Sequence, residues 1–236
     1  MHIRDFVSNF RNHPVLFIGT GISLRYLQSS YTWDDLLKYI SFEMTGDNEH
    51  YLDIKSNHYR NSNYVYDEIA SDLEREFNEY LQTPEQRNGK FKDVNDFFYK
   101  NMEKGINVSR FKIYVSSLFK NIHFKDEKQE ELAVLKKARK NIGSIITTNY
   151  DEFVEKFFDF KPLIGNDILL SNPYGSVYKI HGCVTEPEKI IITSNDYNTF
   201  ANKYELIRAQ LLSLFIHNPI VFLGYNIGDS NIKDLL

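Results

Sequence analysis

Five short apolar runs, at residues 15–18, 144–148, 177–180, 189–193 and 220–223, do most to limit what this chain can fold into. Each is rich in β-branched or aromatic residues and is bounded by Gly, Asn, Pro or Thr. None alternates apolar with polar residues. Near-continuous apolar strands belong to parallel sheets whose two faces are both covered by helices. Helical patterns lie between several of the runs: residues 151–160 follow the second, and residues 200–217 precede the fifth with Leu206, Leu211, Leu214 and Phe215 roughly on one face. The alternation predicts an α/β fold, a Rossmann-like doubly wound, mainly parallel sheet.

Between the first two runs the texture changes. Val65, Ile69, Leu73, Phe77 and Leu81 recur at helical spacing with charged residues on the opposite face. Residues 94–103, 111–121 and 127–140 repeat that signal, and Thr83-Pro84 and Asn88-Gly89 interrupt it. Residues of about 41–130 therefore read as a helical insertion packed beside the sheet of a single domain spanning 1–236, with the polar residues 45–62 as a loop. Residues 231–236 read as an incipient helix with no stop signal, which suggests the N-terminal part of a longer protein.

Charge and cysteine content narrow the class of partner. There are 28 basic and 32 acidic residues, a net charge of −4, which argues against a basic grip on nucleic acid. Cys183, the one cysteine, cannot form an internal disulfide or a four-thiolate zinc site, which suits a reducing compartment. The N-terminus does not read as a signal peptide. The most apolar stretch, residues 211–225, is broken by Ser213, His217, Asn218 and Pro219 and falls short of the ~18 residues of a membrane span. The expectation is a cytoplasmic domain with neither a nucleic-acid nor a membrane partner.

Four of the runs end in residues that can do chemistry. Gly19-Thr20-Gly21-Ile22-Ser23 follows the first. Glycines there let a diphosphate approach the backbone, and a helix starting there adds N–H groups. The same glycines serve equally as a tight turn. Leu24 stands where a dinucleotide fingerprint has its third glycine, and Asp34 and Asp35 fit a capping box, Thr32-x-x-Asp35. Thr147-Thr148-Asn149-Tyr150-Asp151 ends the second run. A carboxamide at such an edge can hold a water or a ribose hydroxyl, while either Asn149 or Asp151 could instead cap the next helix. His181-Gly182 ends the third. Imidazole titrates near neutrality and is the usual general base, although a satisfied core histidine is the plainer alternative. The other six histidines read as structural or exposed. Gly224-Tyr225-Asn226 ends the fifth run, with Asp229 or Ser230 as a helix cap. In a parallel sheet these four ends converge on one edge.

Taken in order, these segments resemble the motif set of the sirtuin superfamily, and most closely the zinc-free, sirtuin-like domains of bacterial antiphage effectors of the Thoeris and defence-associated sirtuin type. Thr32-Trp33-Asp34-Asp35-Leu36-Leu37 and Ile191-Ile192-Thr193-Ser194-Asn195-Asp196-Tyr197 are similar to that subgroup too. The resemblance implies NAD⁺ as ligand: Gly19, Thr20, Gly21 and Ser23 at the diphosphate, Asn149 on the ribose or the attacking water, Asp151 near the nicotinamide end, and Thr148 as a further NAD⁺-binding residue. His181 would be the general base, and Gly224, Tyr225 and Asn226 would close over the adenosine half. Departures from the family matter as well. Sirtuin deacylases continue the glycine loop into a Gly-Ile-Pro-Asp-Phe-Arg type segment and carry a Cys-x-x-Cys zinc ribbon, both absent here. The expectation is therefore hydrolysis of NAD⁺ to nicotinamide and ADP-ribose by a zinc-free effector, held in check by oligomerisation or a partner sensor domain. An NAD-dependent ADP-ribosyltransferase or deacylase, and a non-catalytic sensor of NAD⁺ or ADP-ribose, remain as alternatives.

Overall fold

The computed structural model describes residues 13–170, 174–203 and 205–225. Five strands, β1 (Val15–Ile18), β2 (Ser144–Thr147), β3 (Lys161–Ile164), β4 (Ser176–Lys179) and β5 (Ile220–Leu223), form one sheet in the order β3-β4-β2-β1-β5, and every pairing is parallel. β1, β2 and β4 are buried along their whole length, which is why their sequences read as mostly apolar, with Lys179 of β4 the one charge among them. Chain order reverses at β1, whose neighbours are β2 on one side and β5 on the other. In open α/β sheets that is where a crevice opens at the carboxyl ends of the strands.

Ten α-helices lie among the described residues: α1 (Thr20–Tyr26), α2 (Trp33–Thr45), α3 (Asn48–Ser56), α4 (Tyr66–Gln82), α5 (Lys92–Met102), α6 (Arg110–Leu118), α7 (Gln129–Lys137), α8 (Phe153–Phe158), α9 (Ser194–Lys203) and α10 (Glu205–His217). The chain divides into two compact units, one of residues 1–30, 122–182 and 204–236, the other of residues 31–121 and 183–203.

The first unit holds the sheet. On one face Leu16, Ile18, Ile145 and Val177 pack with Tyr26 of α1, Leu132 of α7 and Phe153, Val154 and Phe158 of α8. On the other, Phe17 stacks on Phe222 and on Phe215 of α10, with ring centroids 5.3 Å and 6.3 Å away. Alternate residues of one strand thus feed two cores.

Two expectations about this sheet need correction. Residues 189–193 are not a strand. Residues Pro187–Lys189 form a 3₁₀ turn, and the buried isoleucines 190–192 run outside the sheet. The N–H groups of Ile192 and Thr193 donate to the Asp196 carboxylate (3.1 and 3.0 Å), so a side chain takes donors that a neighbouring strand would need. The fifth strand is instead β3, at the sheet edge. Its Lys161 and Pro162 are exposed, which hides the run from a hydropathy reading and suits the one place where a strand tolerates proline.

The second unit is helical. Thr32 caps α2 by accepting from the Asp35 N–H at 3.1 Å, as the capping box predicts. α4 buries Ile69, Leu73, Phe77 and Leu81 along one stripe. The expected loop at 45–62 is largely ordered structure. Asp47 caps α3, which buries Tyr51 and Ile54, and Tyr59–Arg60 pairs with Asn63–Tyr64 in a hairpin. Asn61 and Ser62 turn it with positive φ, the geometry of a two-residue hairpin turn. Two buried residues in nine leave the helix too polar to stand out in the sequence.

His58 ties the hairpin to α4. Its Nδ1 lies 2.9 Å from Glu68 Oε2 and its Nε2 lies 2.7 Å from Asp72 Oδ2. Only the imidazolium offers a donor to both. Burial opposes the charge, but the hydrogen bonds to Asp72 and then Glu68 outweigh it, and the pKa of His58 is raised. A raised folded value means that this clamp stabilises fully below the unfolded pKa of about 6.5 and is lost as pH rises through the folded one. An NMR titration is expected to place the His58 midpoint above the ordinary value, and His58→Gln to flatten the high-pH loss of stability. A midpoint at or below the ordinary value would remove the clamp.

Candidate active site

The register sets the level of the strand ends. Ile18 of β1 pairs with Thr147 of β2 and Leu223 of β5, and Thr147 pairs with Lys179 of β4. Asn149 and His181 therefore each stand two residues beyond a matched pair on adjacent strands, whose backbones lie ~4.8 Å apart. The ladder runs one step further, with the Ile180 N–H donating to Thr147 O at 3.1 Å. Gly182 then turns the chain at φ +87°. Asn149 and His181 are each only 6% exposed.

Asn149 is held from three sides. Thr147 Oγ1 donates to Ile18 O (2.9 Å) and accepts from the Asn149 backbone N–H (3.1 Å). The carboxamide Nδ2 donates to Gly19 O (3.1 Å) and to Ser23 Oγ (2.9 Å). A carbonyl can only accept, so Gly19 O fixes which end of the carboxamide is nitrogen. The other end, Oδ1, is buried and has no hydrogen-bond partner among the described residues. A buried acceptor left open is costly unless something donates to it.

Ser23 completes a relay. Its hydroxyl accepts from Asn149 and donates to Asp151 Oδ2 at 2.8 Å, while Asp151 Oδ1 accepts from the Phe153 N–H at 3.0 Å. Neither is the N-cap of α8, which is Glu152: Asp151 stands one residue earlier and accepts from the first helical N–H, and Asn149 turns its side chain to the glycine loop. Both oxygens of Asp151 and both sides of the Ser23 hydroxyl are engaged within the protein.

The glycines answer to close backbone approach. Gly19 has an ordinary φ of −110°. A Cβ there would lie 2.7 Å from Gly224 O and from Tyr225 Cδ2, and one on Gly21 would lie 2.8 Å from Gly224 Cα. The Gly21 N–H donates to Gly224 O at 2.8 Å. The β1–α1 loop and the turn after β5 are pressed together at the switch point, and Tyr225 packs on Phe17 with centroids 4.8 Å apart. Thr20, the first residue of α1, and Thr148, which follows β2, are half-buried. Asn226 lies outside the described residues.

One pair of charged residues escaped the sequence reading. Lys179 and Glu155, 0% and 5% exposed in their side chains, form an ion pair at 2.9 Å. The signal was present: a lysine inside Val177-Tyr178-Lys179-Ile180 and a glutamate inside Phe153-Val154-Glu155 are charges within buried apolar stretches. Burial raises the Glu155 pKa, and Lys179 opposes that shift. Among the described residues no group of three or more His, Cys, Asp or Glu side chains is placed to hold a metal ion. No helix among them is long and apolar enough to cross a membrane.

Residues 143–236 match the family model of the SIR2-like domain. That stretch carries β2 to β5 with Asn149, Asp151 and His181, and leaves out the glycine loop. The chain is 31% identical over 108 residues to defense-associated sirtuin 2 of Bacillus subtilis, an alignment covering 41% of this chain and 10% of that protein. It is 27% identical over 107 residues to NAD(+) hydrolase ThsA of Acinetobacter baumannii (strain 532279), covering 42% of this chain and 22% of that protein. The matched stretch thus spans about a tenth of the first relative's length and about a fifth of the second's. Residues 143–236 are thus similar to a SIR2-like domain, and they supply four of the five strands of a Rossmann-like parallel sheet.

Proposed function

We propose that this chain is an NAD⁺ glycohydrolase, cleaving NAD⁺ to nicotinamide and ADP-ribose, and that it serves as a regulated NAD-depleting effector in antiphage defence. The observation that carries the reading is the open Asn149 Oδ1. It is an acceptor fixed in direction, at the edge where a SIR2-like domain would take its dinucleotide. What it lacks is a donor, and a ribose hydroxyl or a water supplies one.

In the reaction the bond between ribose C1′ and the pyridinium nitrogen breaks. Its electron pair goes to nitrogen, so nicotinamide leaves neutral from a cationic precursor. The carbon left behind is oxocarbenium-like. A water adds to it, and its proton passes to His181 as general base. Asn149 Oδ1 accepts from that water or from the ribose, and both side chains do so without placing positive charge beside a cationic transition state. Positioning of this kind and an aimed acceptor supply what proton transfer does not. Thr20 with the glycine loop faces the diphosphate. Because the Ser23 hydroxyl is bonded on both sides, its part is to aim Asn149. Thr148 and Asp151 flank the nicotinamide ribose, and Gly224 and Tyr225 lie toward the adenosine half.

Incubation with NAD⁺ and chromatography of the products tests the reading. Nicotinamide and ADP-ribose in equal amounts are expected, while saturable binding without nicotinamide release would overturn it. Loss of cellular NAD⁺ is toxic, so basal turnover of a dilute monomer is expected to be low and to rise on self-assembly or on docking of a sensor partner. Full activity in the dilute monomer would contradict the regulatory half.

A further inference from the structure

We propose that the buried Lys179–Glu155 pair is a positioning device for the 149–151 loop, a role that rests on the reading of Asn149 as a group that touches the substrate. Lys179 closes β4 and Glu155 belongs to α8. The Lys179 Nζ donates to Tyr150 O at 3.4 Å, more closely to Asp151 O, and pairs with Glu155 Oε1. The two carbonyls it gathers are those of the residues immediately after Asn149.

A lysine with a fully buried side chain needs a reason. Replacing a buried ion pair by apolar side chains of like volume is often neutral or stabilising, so a contribution to stability does not by itself explain this one. An ammonium does what a methionine cannot: its three tetrahedral donors draw two successive backbone carbonyls and a carboxylate to one point. That sets the direction of the peptides leaving Asn149. The carboxamide is then aimed from both ends, by Gly19 O and Ser23 on the side chain and by Thr147 Oγ1 and Lys179 on the backbone. Glu155 supplies the counter-charge that lets the ammonium stay buried.

The test separates aiming from folding. Lys179→Met alone strands Glu155 in the interior, so the informative protein is the double variant Lys179→Met with Glu155→Leu. It is expected to melt near the wild type while kcat for nicotinamide release falls at least about ten-fold and KM moves by less than about three-fold. Deuterium uptake across residues 148–153 is expected to rise. Glu155→Gln keeps Lys179 and both carbonyl bonds; it is expected to melt earlier yet to keep kcat within about three-fold in the cold. A stable double variant with wild-type kcat or unchanged uptake would overturn the proposal. If the double variant does not fold, a folded but slow Glu155→Gln overturns it, and a fast one supports it. If the wild type releases no nicotinamide, the hydrolase reading falls instead, and the uptake comparison alone judges the positioning claim.

Discussion

Asn149→Ala and His181→Ala are each expected to lower nicotinamide release from NAD⁺ by at least about 100-fold, since a well-placed general base is worth about 10²–10⁴ and a fixed polar contact to the reacting groups about as much. The two losses have different origins. Without His181 the attacking water keeps its proton. Without the Asn149 carboxamide the acceptor is gone, and Gly19 O loses one of its two donors, keeping the Ile22 N–H at 3.1 Å, while Ser23 Oγ loses the Nδ2 donor. Thermal midpoints therefore have to be read beside rates for Asn149→Ala. Asn149→Asp sharpens the case. It keeps size and an acceptor but turns a carboxylate oxygen toward Gly19 O, and it too is expected to fail. Folded variants with wild-type rates would take both residues out of the mechanism.

Gly224→Ala is expected to be the most damaging single methyl in the described sheet unit, at about 3 kcal/mol or more and hence roughly 10 °C in melting temperature. Gly224 sits at φ +60°, and a Cβ there would lie 2.5 Å from the Ile22 nitrogen and 2.8 Å from the Gly21 carbonyl carbon. Both are backbone atoms, held by the Gly21 N–H bond to Gly224 O, and neither can swing aside as a side chain would. Gly46→Ala is the control. It has φ +72° at the end of α2 but open space around its Cβ, so it bears only the left-handed penalty of about 1 kcal/mol. If Gly224→Ala melts no lower than Gly46→Ala, crowding at the switch point is not what these glycines serve.

Much of the architecture was legible because burial on two faces writes itself plainly. β1, β2 and β4, buried along their length, and the half-buried β5 are mostly apolar, and the chemistry-bearing residues stand just past their ends. The failures share a cause. The isoleucines at 190–192 are as apolar as a strand, and it is the Ile190 N–H on Pro187 O and the Ile192 and Thr193 N–H groups on the Asp196 carboxylate that show them spent outside a ladder. β3 is half exposed at an edge, so its pattern is that of a loop. α3 and the hairpin bury too little to rise above their polar neighbours.

The residue types at the strand ends, and hence the chemical class of the site, were determined by the sequence alone. Spacing along a chain carries periodicity, and periodicity is enough to say that Asn149 and His181 follow strands of a parallel sheet. Tertiary structure alone decided how they are aimed. The Ser23 bond to Asp151 joins residues 128 apart, and the Asn149 bond to Gly19 O joins residues 130 apart. No local pattern encodes such a contact, because hydrogen-bond direction depends on which strands lie side by side and at what level. That same pairing drew Lys179 under the loop and pressed the glycines against Gly224.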